Sequence, residues 1–254
     1  LKLSAQDAPP LGEPTDFPLS KFVGQALYLA RMTRPDILLA VSVLSRYVSN
    51  PGKRHARAAK ILLRYLKGTI DLGITLDASR GASDLLGFAD AEYANIDLDT
   101  RKSYGAYCLY LAGGPISWSV SRHPRPAGST SVAEYYTLSR CGEKIMWFRQ
   151  LHSEIMIIHL GKYDLRTLAP TIVYEDNNTA LNIANGTCKQ KHTKHIEVRY
   201  HIVQDFIEQG DIEVRKLPGP QMMVDAINKA LGPREFQRKA AYLLGILDVS
   251  ELTV

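Results

Sequence analysis

The sequence predicts an α/β protein in which a small helical region precedes a mixed β-sheet with flanking helices. Apolar residues recur at helical spacing between residues 20 and 67, short strand-like segments occupy 72–120, and strand and helix patterns alternate after residue 170. We therefore divide the 254 residues into a helical region at 1–80 and an α/β domain at 81–254.

The helical region begins with a proline-rich segment. Four prolines within residues 1–18 predict an extended lead-in. Helical spacing then predicts a helix at 20–33, and a second helix begins at Pro35 and ends at Asn50-Pro51-Gly52. A third helix is predicted at 53–67, with apolar residues on one face and basic residues on another.

The basic face of the third predicted helix contains five residues at steps of three and four: Lys53, Arg57, Lys60, Arg64 and Lys67. Residues 1–80 contain 12 Lys/Arg and 6 Asp/Glu, whereas the rest of the chain contains 19 and 20. Because no acid interrupts the basic face, it favours binding to the phosphates of a nucleic acid. The alternative is a solvated helix face.

The α/β domain starts with four short apolar or aromatic segments, which predict an antiparallel meander: 72–76, 85–89, 103–111 and 115–120. A long helix is predicted at 130–155. A buried strand follows at 171–174, and the later elements are helices at 178–184 and 196–209, a strand at 212–217, and helices from Met222 and Arg234.

Four acidic residues occupy the ends of these elements. Asp90 and Asp176 end predicted strands, Glu134 lies in the first turns of the long helix, and Asp225 opens a later helix. The carboxyl ends of strands are where α/β sheets place their functional sites. For Asp176 a second interpretation stays open, because Asp at the start of a helix commonly caps free backbone N–H groups.

Composition excludes several classes of protein. No apolar run is long enough for a membrane span, and the first residues lack the pattern of a signal peptide, so we expect an intracellular protein without a membrane partner. Cys108, Cys141 and Cys188 are scattered, which indicates neither a disulfide framework nor a zinc site. His192 and His195 lack the cysteine partners of a zinc site.

Several strings occur together in one order. They are Tyr28-Leu29-Ala30, Thr33-Arg34-Pro35-Asp36-Ile37, Leu44-Ser45-Arg46-Tyr47, Leu63-Arg64-Tyr65-Leu66-Lys67-Gly68-Thr69, Gly114-Pro115-Ile116-Ser117-Trp118, Ala133-Glu134-Tyr135, Asp176-Asn177 and the run 193–201. With these strings the chain resembles the carboxyl-terminal part of a copia-type (Ty1-like) retrotransposon polyprotein. That part is the tail of the reverse transcriptase followed by the ribonuclease H domain.

The resemblance implies a ribonuclease H-like fold at about 84–231, with Asp90, Glu134, Asp176 and Asp225 as catalytic ligands of two Mg²⁺ ions, for which Mn²⁺ can substitute. Gathered carboxylates suit such hard cations, and two ions stabilise both oxygens of a phosphodiester cleavage. The implied activity is endonucleolytic cleavage of the RNA strand of an RNA–DNA hybrid.

The resemblance also implies partners. Residues 1–80 correspond to a thumb-like or connection-like remnant of the reverse transcriptase, and the polymerase part of the same polyprotein is a second expected partner. We expect Lys194, His195 and Arg199 to contact the nucleic acid, together with the basic face at 53–67. The chain contains no Tyr-x-Asp-Asp motif, so it cannot polymerise DNA by that route.

Some positions depart from the family's usual pattern: Ser131-Val132, Glu92, Asn95 and Asn228. None of them removes a predicted ligand. The departures favour an alternative function, in which a domesticated or degenerate copy binds nucleic acid or a partner without catalysis.

Overall fold

The computed structural model describes residues 2–80, 84–124, 126–160, 169–187 and 197–252. The first part of the chain contains three α-helices, and a 3₁₀ turn at Pro35–Ile37 precedes the second. They are α1 (Leu19–Met32), α2 (Leu38–Ser45) and α3 (Lys53–Gly68). The helix predicted from the basic and apolar faces at 53–67 is therefore present.

The proline-rich lead-in packs along the helical region. Leu3 and Ala8 are buried, and the Tyr47 hydroxyl donates a hydrogen bond of 3.1 Å to the Leu3 carbonyl. Pro14 forms an isolated β-bridge with Gly52. A Cβ atom added to Gly52 would collide with the backbone carbonyl of Asp7. Only glycine fits this close approach. The lead-in thus covers the start of α3.

Within the described ranges the sheet has five strands: β1 (Leu86–Glu92), β2 (Tyr104–Leu111), β3 (Gly114–Arg122), β4 (Thr171–Glu175) and β5 (Ile212–Lys216). Their order is β3-β2-β1-β4-β5. The first three strands pair antiparallel, whereas β4 pairs parallel with both β1 and β5. The predicted mixed sheet with flanking helices, preceded by a helical region, is confirmed.

The sheet has helices on both faces. They are α4 (Thr130–Leu160), α5 (Asn178–Ala184), α6 (Glu197–Glu208), α7 (Asp225–Asn228) and α8 (Pro233–Leu243). One apolar cluster joins α4, α5 and α6 to one face, and a second joins α7 and α8 to the other. Cys108 and Cys141 are buried and free within these layers, and Cys188 lies outside the described residues.

The strand predicted at 72–76 is wrong. The backbone N–H of Thr75 donates to Leu244, and that of Asp77 donates to Ala112, each over 2.8 Å. These single bonds hold the segment without a ladder, so its apolar residues belong to a connection. The predicted turn between β2 and β3 is present, and Ala112 and Gly113 both have positive φ, as a tight hairpin requires.

A third apolar cluster fills the helical region and extends to the sheet. Trp118 and Val120 of β3 pack against this cluster, so the helical region covers the β3 side of the sheet. The Trp118 side chain is half-buried at this contact. In the part of the chain that the structure describes, we find no helix with the length and apolar character needed to cross a bilayer.

Candidate metal and nucleic-acid site

Asp90 lies inside the sheet, in β1, opposite Ala106 of β2. Side chains alternate along a strand, so Asp90 shares the face of Phe88, which packs on the α7 and α8 side. Its side chain is fully buried, and the Asn228 amide donates to Oδ2 over 2.5 Å. Asp90 is thus a buried carboxylate with a fixed orientation.

Glu134 reaches the same end of β1 from the first turns of α4. It is buried, and its Oε2 accepts the backbone N–H of Ala91 over 2.5 Å. This contact fixes the Glu134 side chain beside the residue that follows Asp90.

Asp176 follows β4 directly, and it is not the N-cap of the helix that comes next. The N-cap of α5 is Asn177, whose side chain accepts the N–H groups of Thr179 and Ala180 at 2.9 and 3.0 Å. The capping that would have explained Asp176 is therefore done by its neighbour. Gly219 lies close to the Asp176 carboxylate, and a Cβ atom at this position would lie 3.1 Å from Asp176 Oδ2. The absence of a side chain on Gly219 therefore leaves room for the carboxylate.

These three acids converge, although 86 positions separate the first from the last in the chain. One oxygen atom each from Asp90, Glu134 and Asp176 lies within 4.8 Å of the other two. Carboxylate oxygens are the ligands that Mg²⁺ and Mn²⁺ prefer, so the donor set fits a hard divalent cation.

The electrostatics of the site also favour a cation. Burial, together with Asp225 and Asp176, raises the pKa of Asp90 to about 7, against the lowering effect of Lys229. Burial and the neighbouring Asp90 raise the pKa of Glu134 to about 11. Both pKa values are raised because the ionised carboxylates are buried and lie close to one another. A bound divalent cation would reduce this electrostatic repulsion.

The fourth predicted acid, Asp225, lies beside this group and is bound by two lysines. Lys229 Nζ lies 2.7 Å from Asp225 Oδ1, and the Lys239 ammonium contacts Oδ2. Lys229 Nζ also lies 3.0 Å from Asp90 Oδ2. Asp225 is thus connected to the three converging acids through the Lys229 ammonium.

Sequence reasoning missed four polar residues of the site. Asn228, Lys229 and Lys239 bind the acids directly, as described above. Glu175 is fully buried, its Oε1 accepts the Asn177 N–H over 3.1 Å, and burial and Asp90 raise its pKa well above the ordinary value. Lys229 alone had a signal, because it follows Asp225 by four positions and opposite charges at that spacing meet on a helix.

The predicted basic face lies on the surface. Lys53, Arg57, Lys60, Arg64 and Lys67 are all exposed. Four of them line one groove together with Phe17: Lys53, Arg57, Lys60 and Arg64. Lys53 differs, because its ammonium forms an ion pair with Glu13 of the lead-in. The basic face has no acidic residue of its own, and Glu13 of the lead-in provides one for Lys53.

Three further residues were predicted to contact the nucleic acid: Lys194, His195 and Arg199. Lys194 and His195 lie outside the described residues, as does the side chain of Arg199, whose backbone belongs to α6.

Comparison with known proteins gives several relatives. The retrovirus-related Pol polyprotein from transposon TNT 1-94 of Nicotiana tabacum is 33% identical over 243 residues, which cover 93% of this chain and 17% of that protein. The corresponding polyprotein from transposon RE1 of Arabidopsis thaliana is 32% identical over 94% of this chain and 16% of its own length. The chain thus spans about one sixth of the length of these curated relatives. No family model matches it.

A shorter relative is Secreted RxLR effector protein 161 of Plasmopara viticola. It is 36% identical over 130 residues, which cover 51% of this chain and 90% of that protein. The similarity to the two polyproteins extends over nearly the whole chain, through both the helical region and the sheet.

Among solved structures, the N-terminal RNase H domain of Rv2228c from Mycobacterium tuberculosis has a TM-score of 0.41 and 15% identity over 63% of this chain and 97% of that chain. LC11-RNase H1 in complex with an RNA/DNA hybrid has a TM-score of 0.38 and 11% identity over 55% of this chain and 88% of that chain. The family of this chain is shown by its similarity to the polyproteins. The chain belongs to the retrovirus-related Pol polyproteins of copia-like transposons.

Proposed function

We propose that this chain is a Mg²⁺-dependent endonuclease that cleaves the RNA strand of RNA–DNA hybrids as part of a retrotransposon replication machinery. The observation that carries the proposal is the convergence of one carboxylate oxygen each from Asp90, Glu134 and Asp176. Membership of the Pol polyprotein family supports the retrotransposon context.

Asp90, Glu134, Asp176 and Asp225 are the residues that would hold two Mg²⁺ ions, with Mn²⁺ able to substitute. When bound, the ions supply a water nucleophile and stabilise the attacking and leaving oxygens of the phosphodiester. By the resemblance Asp90 would contribute to holding both ions. It converges with Glu134 and Asp176, and the Lys229 ammonium connects it to Asp225. The Ala91 N–H and the Asn228 amide hold Glu134 and Asp90 in orientation.

The basic face of α3 would hold the hybrid substrate. Its exposed cations neutralise phosphates of the backbone, which gives affinity without sequence preference. We extend this role to Lys194, His195 and Arg199 on the basis of the resemblance. The RNA strand would be selected through its 2′-hydroxyl groups and released with a 3′-hydroxyl and a 5′-phosphate.

The domain division follows the same proposal. Residues 1–80 act as a thumb-like or connection-like region and 81–254 as the ribonuclease H-like domain. The polymerase part of the same polyprotein is the proposed protein partner, and the proposed location is intracellular, either cytoplasmic in a virus-like particle or nuclear.

Incubation of the purified chain with an end-labelled RNA–DNA hybrid and Mg²⁺ tests the activity. We expect nicking of the RNA strand, with little cleavage of double-stranded DNA. Asp176→Asn should abolish nicking, whereas Asp205→Asn, which removes an exposed carboxylate on α6, should retain it. No cleavage by the natural sequence, or equal cleavage by both variants, would contradict the proposal.

A second candidate function is a domesticated or degenerate copy that binds nucleic acid or a partner without catalysis. One observation favours it: Secreted RxLR effector protein 161, a separate protein, aligns over 90% of its length with about half of this chain. Hybrid binding that weakens with salt, without turnover in Mg²⁺, would support this candidate.

A further inference from the structure

Lys229 bridges two acids of the proposed metal site. Its Nζ lies 3.0 Å from Oδ2 and 3.1 Å from Oδ1 of Asp90, and 2.7 Å from Oδ1 of Asp225. Its backbone N–H donates to the Asp225 carbonyl over 2.9 Å at the end of α7. The position of the ammonium is therefore fixed both by the backbone and by three carboxylate oxygens.

The two acids are held toward this ammonium from their other sides. Lys239, with 5% of its side chain exposed, contacts Asp225 Oδ2 and donates to the Gly219 carbonyl over 3.0 Å. The Asn228 amide holds Asp90 Oδ2. Neither acid can turn away from Lys229 without breaking a buried contact, so Asp90 and Asp225 converge on one point and Lys229 Nζ occupies it.

A divalent cation cannot share this point with the ammonium. Mg²⁺ binds carboxylate oxygens at about 2.0–2.1 Å, so an ion held jointly by Asp90 and Asp225 needs the space that Nζ fills. The two positive charges would also repel each other strongly in a poorly solvated site. The group formed by Asp90, Glu134 and Asp176 differs in degree. Among the described residues Lys229 forms an ion pair with one acid of this group, Asp90, whereas it pairs with both Asp90 and Asp225.

We propose that Lys229 competes with a divalent cation for Asp90 and Asp225. The site then takes one ion at Asp90, Glu134 and Asp176, and takes a second only when the ammonium leaves. Lys229 thereby sets the affinity of the second ion. The inference rests on the proposed function, because it assigns a role to this residue within the same metal site.

Mn²⁺ binding by the full chain without nucleic acid tests the competition, with free Mn²⁺ measured by electron paramagnetic resonance. We expect one tight and one weak ion in the natural sequence. Lys229→Met should tighten the weak constant by at least about tenfold, because the bound competitor is gone. Lys229→Arg, which keeps the charge, should leave it weak. Lys229→Gln provides the same test if the Met variant does not fold.

Lys216→Met is the matched control. Lys216 donates to the backbone carbonyl of Asp176, so its removal changes the charge near the site equally without touching Asp90 or Asp225. An equal tightening in Lys216→Met, no tightening in Lys229→Met, or two ions of equal affinity in the natural sequence would overturn the inference. If hybrid cleavage persists, these results leave the proposed function standing, whereas failure to bind any Mn²⁺ would overturn both.

Discussion

The indole N–H of Trp118 donates a hydrogen bond of 2.8 Å to the carbonyl oxygen of Ala30. Trp118 belongs to β3, and Ala30 lies in the last turn of α1, where carbonyl groups have no partner within the helix. The bond therefore satisfies a helix end of the first part of the chain with a donor from the sheet.

Replacement of this donor should weaken the contact between the two parts. We expect Trp118→Phe to lower the free energy of unfolding by about 1 kcal/mol or more, since a hydrogen bond and some buried ring area are lost. Urea denaturation measures the change. Trp147→Phe is the control, because Trp147 is half-exposed on α4 and should change stability by less than about 0.5 kcal/mol. Equal losses in both variants would contradict a specific role for Trp118.

Asp97 predicts how the protein responds to acid. It is fully buried and lies 2.7 Å from Arg46, after α2, and 3.1 Å from Arg122, at the end of β3. Although burial opposes ionisation, hydrogen bonds from Thr100 and Arg122 and the charge of Arg46 lower the pKa of Asp97 from 3.8 to about 2.

A lowered folded-state pKa means that the carboxylate stabilises the fold above pH about 4 and loses this effect as the pH falls toward 2. At about 1.4 kcal/mol per pKa unit, the contribution is about 2 kcal/mol. We expect Asp97→Asn to destabilise the protein near pH 6 and the difference from the natural sequence to shrink below pH 4. Denaturant titrations at several pH values measure the difference, and Asp71→Asn, which changes an exposed carboxylate, is the control.

Metal removal should reveal the role of Glu134. With a pKa of about 11 in the metal-free protein, Glu134 is protonated at pH 7, so Glu134→Gln should change stability without Mg²⁺ by less than about 1 kcal/mol. In Mg²⁺ at about one hundred times the dissociation constant, the natural sequence should gain about 2.7 kcal/mol, and Glu134→Gln should gain almost nothing.

Thermal unfolding with Mg²⁺ and with a chelator measures both effects. Glu154→Gln, on the exposed part of the same helix, should respond to Mg²⁺ like the natural sequence. The same Mg²⁺ stabilisation in Glu134→Gln would contradict its assignment as a metal-holding residue.

The basic face of α3 predicts a salt effect that differs among its members. Loss of one phosphate contact should reduce the slope of log affinity against log salt by about 0.9. We expect this reduction for Arg57→Gln and Arg64→Gln in hybrid binding. Lys53→Gln should reduce the slope by less than half as much, because Lys53 is already paired with Glu13. An equal reduction in all three variants would contradict this ranking.

The sequence was sufficient for elements with a strong period. The apolar and basic faces of α3 and the β-branched run of β4 each determine their own local structure, so both were predicted within a residue or two. The segment 72–76 misled because it is apolar without having a neighbouring strand to pair with. An apolar sequence predicts that a segment is buried, but it does not predict whether its backbone groups form hydrogen bonds with a neighbouring strand.

The acids of the site were predictable, but their partners were not. Asp90 and Asp176 each follow an apolar run, a pattern visible along the chain, although the structure places Asp90 within β1 and only Asp176 after its strand. Lys229 contacts Asp90 across 139 positions, and such a pairing depends on the fold as a whole. The N-cap of α5 was also not predictable from the sequence. Asp176 and Asn177 are both residue types that cap helices, and only the backbone geometry assigns the cap to Asn177.

The helical region has a consequence for the solubility of truncated chains. β3 is an edge strand of the sheet, and its outer side is covered by the packing of Trp118 and Val120 against the helices. Removing residues 1–80 would expose the Trp118 and Val120 side chains beside the edge of β3, and an exposed apolar edge strand is a template for association between copies. The helices therefore shield the sheet from self-assembly, whatever else they bind.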